Sequence, residues 1–385
     1  MQTIVSTRRT RTNARRLSSC LARVLTPFAF AVAVALGIAS VRVEGADLVR
    51  VAAPTEDGSF EERNEEGAIV EISASGITLR DVKTNEETTI PSERVLWILL
   101  DDAPVELAAA RVDYEVGEYE SALEKLKSID ASELASSKSA YASTEFDWYQ
   151  GTSALQLALA DGDATLNEGG RGLATFVKNH ADSYRYYEAL SQLGDAFLAV
   201  SREGGKQEAS LKRAGEAYER MAQSDSKVYR ARGLVGIGDV ALETSDYAKA
   251  EESFKTVKES EIENEYLGRD VLSRASLGLA LTYARSGRYA EARSEIASAL
   301  EATPRRAELA RARLYNALGE TNERDERWED AIIAYLRVDL VYYSARVERV
   351  KALKALVSLW SRTGREDRAA ETRERLKTRF HVEIE

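Results

Sequence analysis

A set of internal repeats constrains this chain more than any other feature. Five short turns recur: Gly117-Glu118-Tyr119, Ser245-Asp246-Tyr247, Gly287-Arg288-Tyr289, Glu326-Arg327-Trp328 and Gly364-Arg365-Glu366. Three residues after each turn stands an alanine (Ala122, Ala250, Ala292, Ala331, Ala369). Four residues further on comes a large apolar side chain in four copies, Leu126, Phe254, Ile296 and Tyr335, and Arg373 in the last. Seven residues before the turn the position is small in four copies, Ala110, Gly238, Ala280 and Gly319, and is Val357 in the fifth. These offsets predict two helices joined by a tight turn, with a small residue on the first helix where the second crosses it closely. One such pair cannot bury its own apolar face, so pairs must stack, and the recurring unit predicts an extended array.

The pattern resembles the tetratricopeptide repeat (TPR) family. The small residue at the close point, the Gly-x-Tyr turn, the alanine and the large apolar residue all match. Pro304 matches the family's terminal proline, which opens the next helix at no cost in hydrogen bonds. The later turns are spaced by 42, 39 and 38 residues rather than by the family's shorter period, so the helices or the loops between repeats are longer. This spacing is similar to that of the family's envelope branch. Two degenerate copies are expected at about 146–181, around Trp148 and Gly151, and at about 184–224, around Leu193-Gly194. The expected fold is mainly α, a TPR-like α-solenoid of about seven helix pairs over residues 104–381.

Residues 46–103 follow a different pattern. Leu48–Val51, Gly67–Ser73, Gly76–Arg80, Glu87–Pro91 and Val95–Leu100 are short β-rich runs separated by turn residues. Five strands in so short a span predict a small antiparallel β-barrel-like domain, with a strand order that resembles Sm-like or SH3-like barrels. It serves as a cap on the array or as a module that binds peptides or oligomerises.

Residues 1–45 are an address. Arg8, Arg9, Arg11, Arg15 and Arg16 precede a 16-residue apolar run at 24–39, with small residues at its end, Gly37 and Ala39, and again at Gly45 and Ala46. That order predicts a bacterial secretory signal, and hence an exported protein of the periplasm or cell envelope. The run is short for a spanning helix of about 20 residues, though an uncleaved anchor at 24–39 stays open. Cys20 precedes the apolar run, where a lipidated cysteine would follow it.

Charge and composition narrow the function. Residues 1–45 carry seven arginines against one glutamate, or +6, so the remainder carries −17 where the whole chain carries −11. So acidic a chain argues against nucleic acid and against an anionic membrane surface, leaving a retained anchor as the one membrane contact. Within it, residues 305–379 are basic, with 18 cationic and 13 acidic side chains. The one cysteine lies in the leader, and the two histidines, His180 and His381, are far apart in sequence. No nucleophile–base set or ligand cluster emerges, so neither catalysis nor a metal or cofactor is expected. Gly204-Gly205-Lys206 lacks the rest of a phosphate loop, Gly233–Gly238 does not match a dinucleotide fingerprint, and Asp161-Gly162-Asp163 lacks the other ligands of a calcium loop.

The resemblance implies that the first helix of each repeat lines a concave groove. Two rows of residues would then face it: Arg232, Arg274, Arg313 and Lys351 in one, and Glu243, Arg285, Arg324 and Arg362 in the other. Such rows suit an extended protein or peptide ligand, acidic in character. Cations of the second row also sit near helix C-termini, which the helix dipole favours without any ligand. The function expected is a protein–protein interaction scaffold of the envelope. The alternatives are a structural subunit that self-assembles through its β domain or N-terminal repeats, and an enzyme accessory protein. The oligomeric state stays open.

Overall fold

The computed structural model describes residues 46–136, 141–160, 166, 169–203 and 207–384, and it is mainly helical with a small N-terminal sheet. Residues 1–45, where a secretory signal is expected, Asp161–Asp163 and Gly204–Lys206 lie outside the described residues. The chain divides into two compact units, one ending at Gly233 and the other spanning Leu234–Glu385.

The first unit opens with β1 (Asp47–Pro54), β2 (Phe60–Ser73), β3 (Gly76–Arg80), β4 (Glu87–Pro91), a 3-10 turn (Ser92–Arg94) and β5 (Val95–Leu99). The strands form one antiparallel sheet in the order β4-β3-β2-β1-β5. The sheet is open, which corrects the expectation of a barrel. β4 and β5 lie at opposite edges although only the 3-10 turn separates them in sequence. Pro91 has no N–H to give, and the Ser92 N–H is spent on the Ser75 carbonyl at 3.0 Å. The core that a closed wall would seal is instead covered by residues of the helical region. Val49, Val51, Ile77, Leu79, Ile90, Val95 and Ile98 share one buried cluster with Ala142 and Tyr184.

β2 is twice as long as its apolar part. Its first half, Phe60–Gly67, pairs with β1, and its second half, Ala68–Ser73, pairs with β3. The first half is polar on both faces, so alternation gave no strand signal there. Cross-strand pairing holds it, with Arg50 bound to Glu62 at 3.1 Å and to Asn64 at 3.0 Å.

Seven helices complete this unit: α1 (Val105–Val116), α2 (Tyr119–Ser128), the short α3 (Ala131–Ser136), α4 (Ala142–Ala160), α5 (Gly169–Asn179), α6 (Tyr186–Glu203) and α7 (Gln207–Met221). α1 packs on α2, α4 on α5, and α6 on α7, while α4 also contacts both α1 and α2. α8 (Lys227–Glu243) runs across the division between the units. The second unit continues with α9 (Tyr247–Lys258), α10 (Gly268–Arg285), α11 (Tyr289–Ala302), α12 (Glu308–Arg324), α13 (Trp328–Val341), α14 (Arg346–Arg362) and α15 (Glu366–Arg375). Each of these helices contacts the next, and α12 also touches α10 and α14, the first helices of the neighbouring pairs. The chain closes with a π-helical turn, Leu376–Phe380, whose Phe380 is buried, and Val382 and Ile384 pack against the same core.

The repeated turns are five copies of one cap. In each, an N–H just after the turn's first residue returns to a carbonyl five residues back: Glu118 to Asp113, Asp246 to Ala241, Arg288 to Tyr283, Arg327 to Asn322 and Arg365 to Trp360, all at 2.8 Å. This bond ends a helix only if the residue before the donor takes a left-handed backbone. Gly117, Gly287 and Gly364 do so with φ of 85°, 82° and 74°, and Ser245 and Glu326 do so with φ of 61° and 56°.

Candidate functional site

The residues of the two predicted rows are engaged in separate ion pairs, and Glu243, Arg285, Glu320 and Arg324 form one longer chain of charges, the ladder. Arg232 on α8 lies 4.0 Å from Asp195 on α6. In the second unit Arg274 on α10 lies 3.8 Å from Asp239 on α8. Arg285 at the end of α10 is held between Glu243 at 3.6 Å and Glu320 at 3.3 Å, and Glu320 also takes Arg324 at 3.1 Å. Arg313 and Lys351 share Glu348, at 3.8 Å and 3.0 Å. Arg362 stacks its guanidinium over Trp328, 4.0 Å from the ring centre. The cations therefore alternate with carboxylates rather than forming a bare basic strip.

The carboxylates carry a signal of their own. Asp195, Asp239 and Glu320 each follow directly the small residue of the first helix, after Gly194, Gly238 and Gly319. One helical residue on from the close point, Asp195 and Asp239 meet a cation of the next first helix, Arg232 and Arg274, whereas Glu320 meets Arg285 of the preceding first helix and Arg324 of its own. Glu348 has no such marker. It lies in the first turn of α14, buried, where Asn316 donates to it at 2.8 Å.

A second cluster lies under the sheet. Arg185 is 4% exposed, donates to the Tyr149 hydroxyl at 3.0 Å and to Glu188 at 3.1 Å, and stands 3.6 Å from the buried Glu145. Its guanidinium faces the rings of Trp148, Tyr184 and Tyr149 at 4.8, 4.9 and 5.6 Å. Burial pushes the Glu145 carboxyl above the usual glutamate range, and Arg185 opposes the rise without cancelling it. Beside it the Tyr114 hydroxyl meets Thr152 at 3.1 Å and Gln192 at 3.4 Å, and burial raises this phenol to about 12. The cluster joins α1, α4 and α6 and, through Tyr184, the core of the sheet. On the neighbouring strand Trp97 receives Arg111 of α1, 3.9 Å from its ring centre.

His180 follows the end of α5. Its Nε2 lies 2.8 Å from Asp147 and its Nδ1 lies 3.3 Å from the Thr144 hydroxyl, so it staples α5 to α4. Among the described residues no three His, Cys, Asp or Glu side chains converge as metal ligands, and no helix is long and apolar enough to cross a membrane. The tyrosines divide. Tyr187 stacks on Tyr229 and Tyr342 on Tyr315, with centroids 5.1 and 5.8 Å apart, whereas Tyr343 is exposed. No protein-family model and no curated protein sequence matches the chain.

Proposed function

We propose that this chain is a protein-interaction scaffold of a bacterial cell envelope. It is a TPR-like solenoid of seven helix pairs (α1/α2, α4/α5, α6/α7, α8/α9, α10/α11, α12/α13 and α14/α15) behind a sheet of SH3-like connectivity. It is exported by its N-terminal segment and takes a protein or peptide on the face formed by the first helices. The ladder carries this reading: Glu243, Arg285, Glu320 and Arg324 place alternating charge along successive first helices. Arg324 is exposed and the other three are half-buried, and pairs so open to water contribute little to stability. An extended ligand with carboxylates at matching intervals exchanges partners with them and gains charge-assisted hydrogen bonds. The five identical caps and the contacts of α12 with both α10 and α14 support the stacked architecture.

The test is affinity capture from a detergent-solubilised envelope fraction, with Arg285→Gln/Arg324→Gln beside the parent chain. Glutamine is the proper replacement, because a glutamate at either position would face Glu243 or Glu320 and perturb the fold. Arg288→Gln is the control, since Arg288 bonds Glu251 and Glu291 away from the ladder. A partner lost only by the ladder variant supports the groove. A partner kept by both variants places its site elsewhere.

A further inference from the structure

Charge in the second unit is sorted by helix. α10 has three cations and one acid, α12 three of each, and α14 five cations and one acid. The helices that alternate with them run the other way. α11 and α13 each have one cation and three acids, and α15 has three cations and four acids. The whole chain carries −11, so a cationic α14 stands against its composition.

The exposed residues of α14 are Arg346, Lys351, Lys354, Ser358 and Arg362, four cations and a serine with no acid among them. Helical geometry puts Lys351, Lys354, Ser358 and Arg362 within an arc of about 80°, in a stripe about 16 Å long. The acids near it are already engaged. Glu348 is buried, and Lys351 and Arg313 share it. Glu323 of α12 faces Arg362 and Arg324, but it is half-buried and accepts from the Tyr335 hydroxyl at 3.4 Å, and burial holds its carboxyl above the usual glutamate range. Glu366 accepts from Ser361 at 3.0 Å, Glu329 lies 3.6 Å from Arg365, and Asp330 lies 2.6 Å from Arg327. Among the described residues Lys354 has no ion pair. Protein surfaces ordinarily mix the two signs, and a stripe of one sign concentrates partners of the other.

The size of the stripe selects the class of partner. Its length matches about five residues of extended chain. A bilayer or a nucleic-acid duplex spreads its charge over a far larger area, where the net negative charge of the chain repels it. Resting on the reading that the first helices take an extended protein segment, we infer that α14 holds the acid-rich part of that segment. The ladder of Glu243, Arg285, Glu320 and Arg324 has two charges of each sign and sets the register of the segment. α14 adds the surplus of positive charge that draws it in, and Lys354, which stands in neither predicted row, is one of the binding residues. Charges this exposed make the contact weaken as salt rises.

The experiment maps where an acidic peptide sits. N-acetylated octaglutamate is coupled by carbodiimide to the full-length chain at low salt, and the adducts are located by mass spectrometry. The coupling joins carboxylates to lysine amines, and residues 1–45 have no lysine, so their arginines take no label. Lys351 and Lys354 are expected to be labelled about tenfold more than the exposed Lys212 and Lys249, the advantage of two or three exposed charge pairs acting together. High salt is expected to erase the difference. Arg313→Gln/Arg362→Gln should reduce labelling at both lysines. Arg337→Gln/Arg368→Gln removes equal charge from α13 and α15 and should not. Labelling spread evenly over the exposed lysines overturns the inference, and so does an equal loss in both variants. Should the first variant fail to fold, the map on the parent decides alone. Phosphatidylglycerol vesicles that displace the label at a lower charge concentration than free octaglutamate also overturn it, because the stripe then prefers a lipid surface. Each of these outcomes leaves capture through Arg285 and Arg324 standing, so the inference and the scaffold reading fail separately.

Discussion

A methyl group added at position 319 would stand 2.5 Å from the ring of Tyr335, and one at position 238 would stand 2.7 Å from the ring of Phe254. Where the second helix brings an aromatic ring, the first helix has glycine. Where it brings Leu126 or Ile296, the matching position is Ala110 or Ala280, and all four side chains are buried. The pair thus conserves volume at the crossing, and the prediction concerns coupling. Gly319→Ala should destabilise by about 1–3 kcal/mol through overpacking. The same change in a Tyr335→Leu background should cost markedly less, a coupling of at least about 0.5 kcal/mol. Equal costs in the two backgrounds, by urea unfolding, would show that the glycine answers to something other than the ring. A second prediction at this scale concerns Glu145. Its carboxyl is raised in the folded chain by burial, so the folded state binds a proton that the unfolded state has already released. The stability linked to this group is complete below the unfolded value of about 4.5 and falls as pH rises through the higher folded value. The parent's stability relative to Glu145→Gln should therefore be greatest near pH 4.5 and shrink towards pH 7.5. A difference that grows with pH would mean that Arg185 outweighs burial.

The caps show how the elements are delimited. Three of the five turns place glycine at the left-handed position, while Ser245 and Glu326 hold it with positive φ. A side chain there costs about 1–2 kcal/mol, part of which glycine gives back as freedom in the unfolded chain. Glu326→Gly should accordingly raise stability by about 0.5–1 kcal/mol, and Gly287→Ala should lower it by a similar amount or more. Thermal unfolding of both variants checks this, and a destabilising Glu326→Gly would mean that its side chain contributes more than its backbone costs. These turns were legible in the sequence because the cap requires specific residue types at fixed offsets from a helical pattern. The polar half of β2 was not, because its partner strand, rather than its own alternation, determines it. The final turn, Leu376–Phe380, was missed for a related reason. Its apolar residues are too few to show a period, and they matter only where they meet the core around Leu353 and Trp360. The arginines of the candidate face were found from their repeat positions. Of their carboxylate partners Glu243 stood in the same rows and Asp195, Asp239 and Glu320 follow the small residue, but Glu348 enters from a different turn of the next first helix and only contact geometry joins it to Arg313.

At the scale of the molecule, the proposed stacking of helix pairs makes stability a matter of neighbours. The second unit offers a place to test this, because its last three helices are tied by one buried carboxylate. Asp339 of α13 is 1% exposed and accepts from Arg349 of α14 at 3.1 Å and from Arg375 of α15 at 2.8 Å. Arg349 is itself buried, with its guanidinium facing Phe380, 5.2 Å from the ring centre. Removing the carboxylate leaves a buried cation with no counter-charge, which typically costs about 3–5 kcal/mol. In a single cooperative core that loss would lower protection everywhere. In an array it should stay local. Hydrogen exchange on Asp339→Ala should show lost protection in α13, α14 and α15, a smaller loss in α12, and none in α9 or in β1–β5. Replacing Arg349 with methionine as well should restore part of the loss, because the stranded charge is then gone. Uniform loss across both units would show that the chain unfolds as one body, and the neighbour-by-neighbour account of its architecture would fall with it.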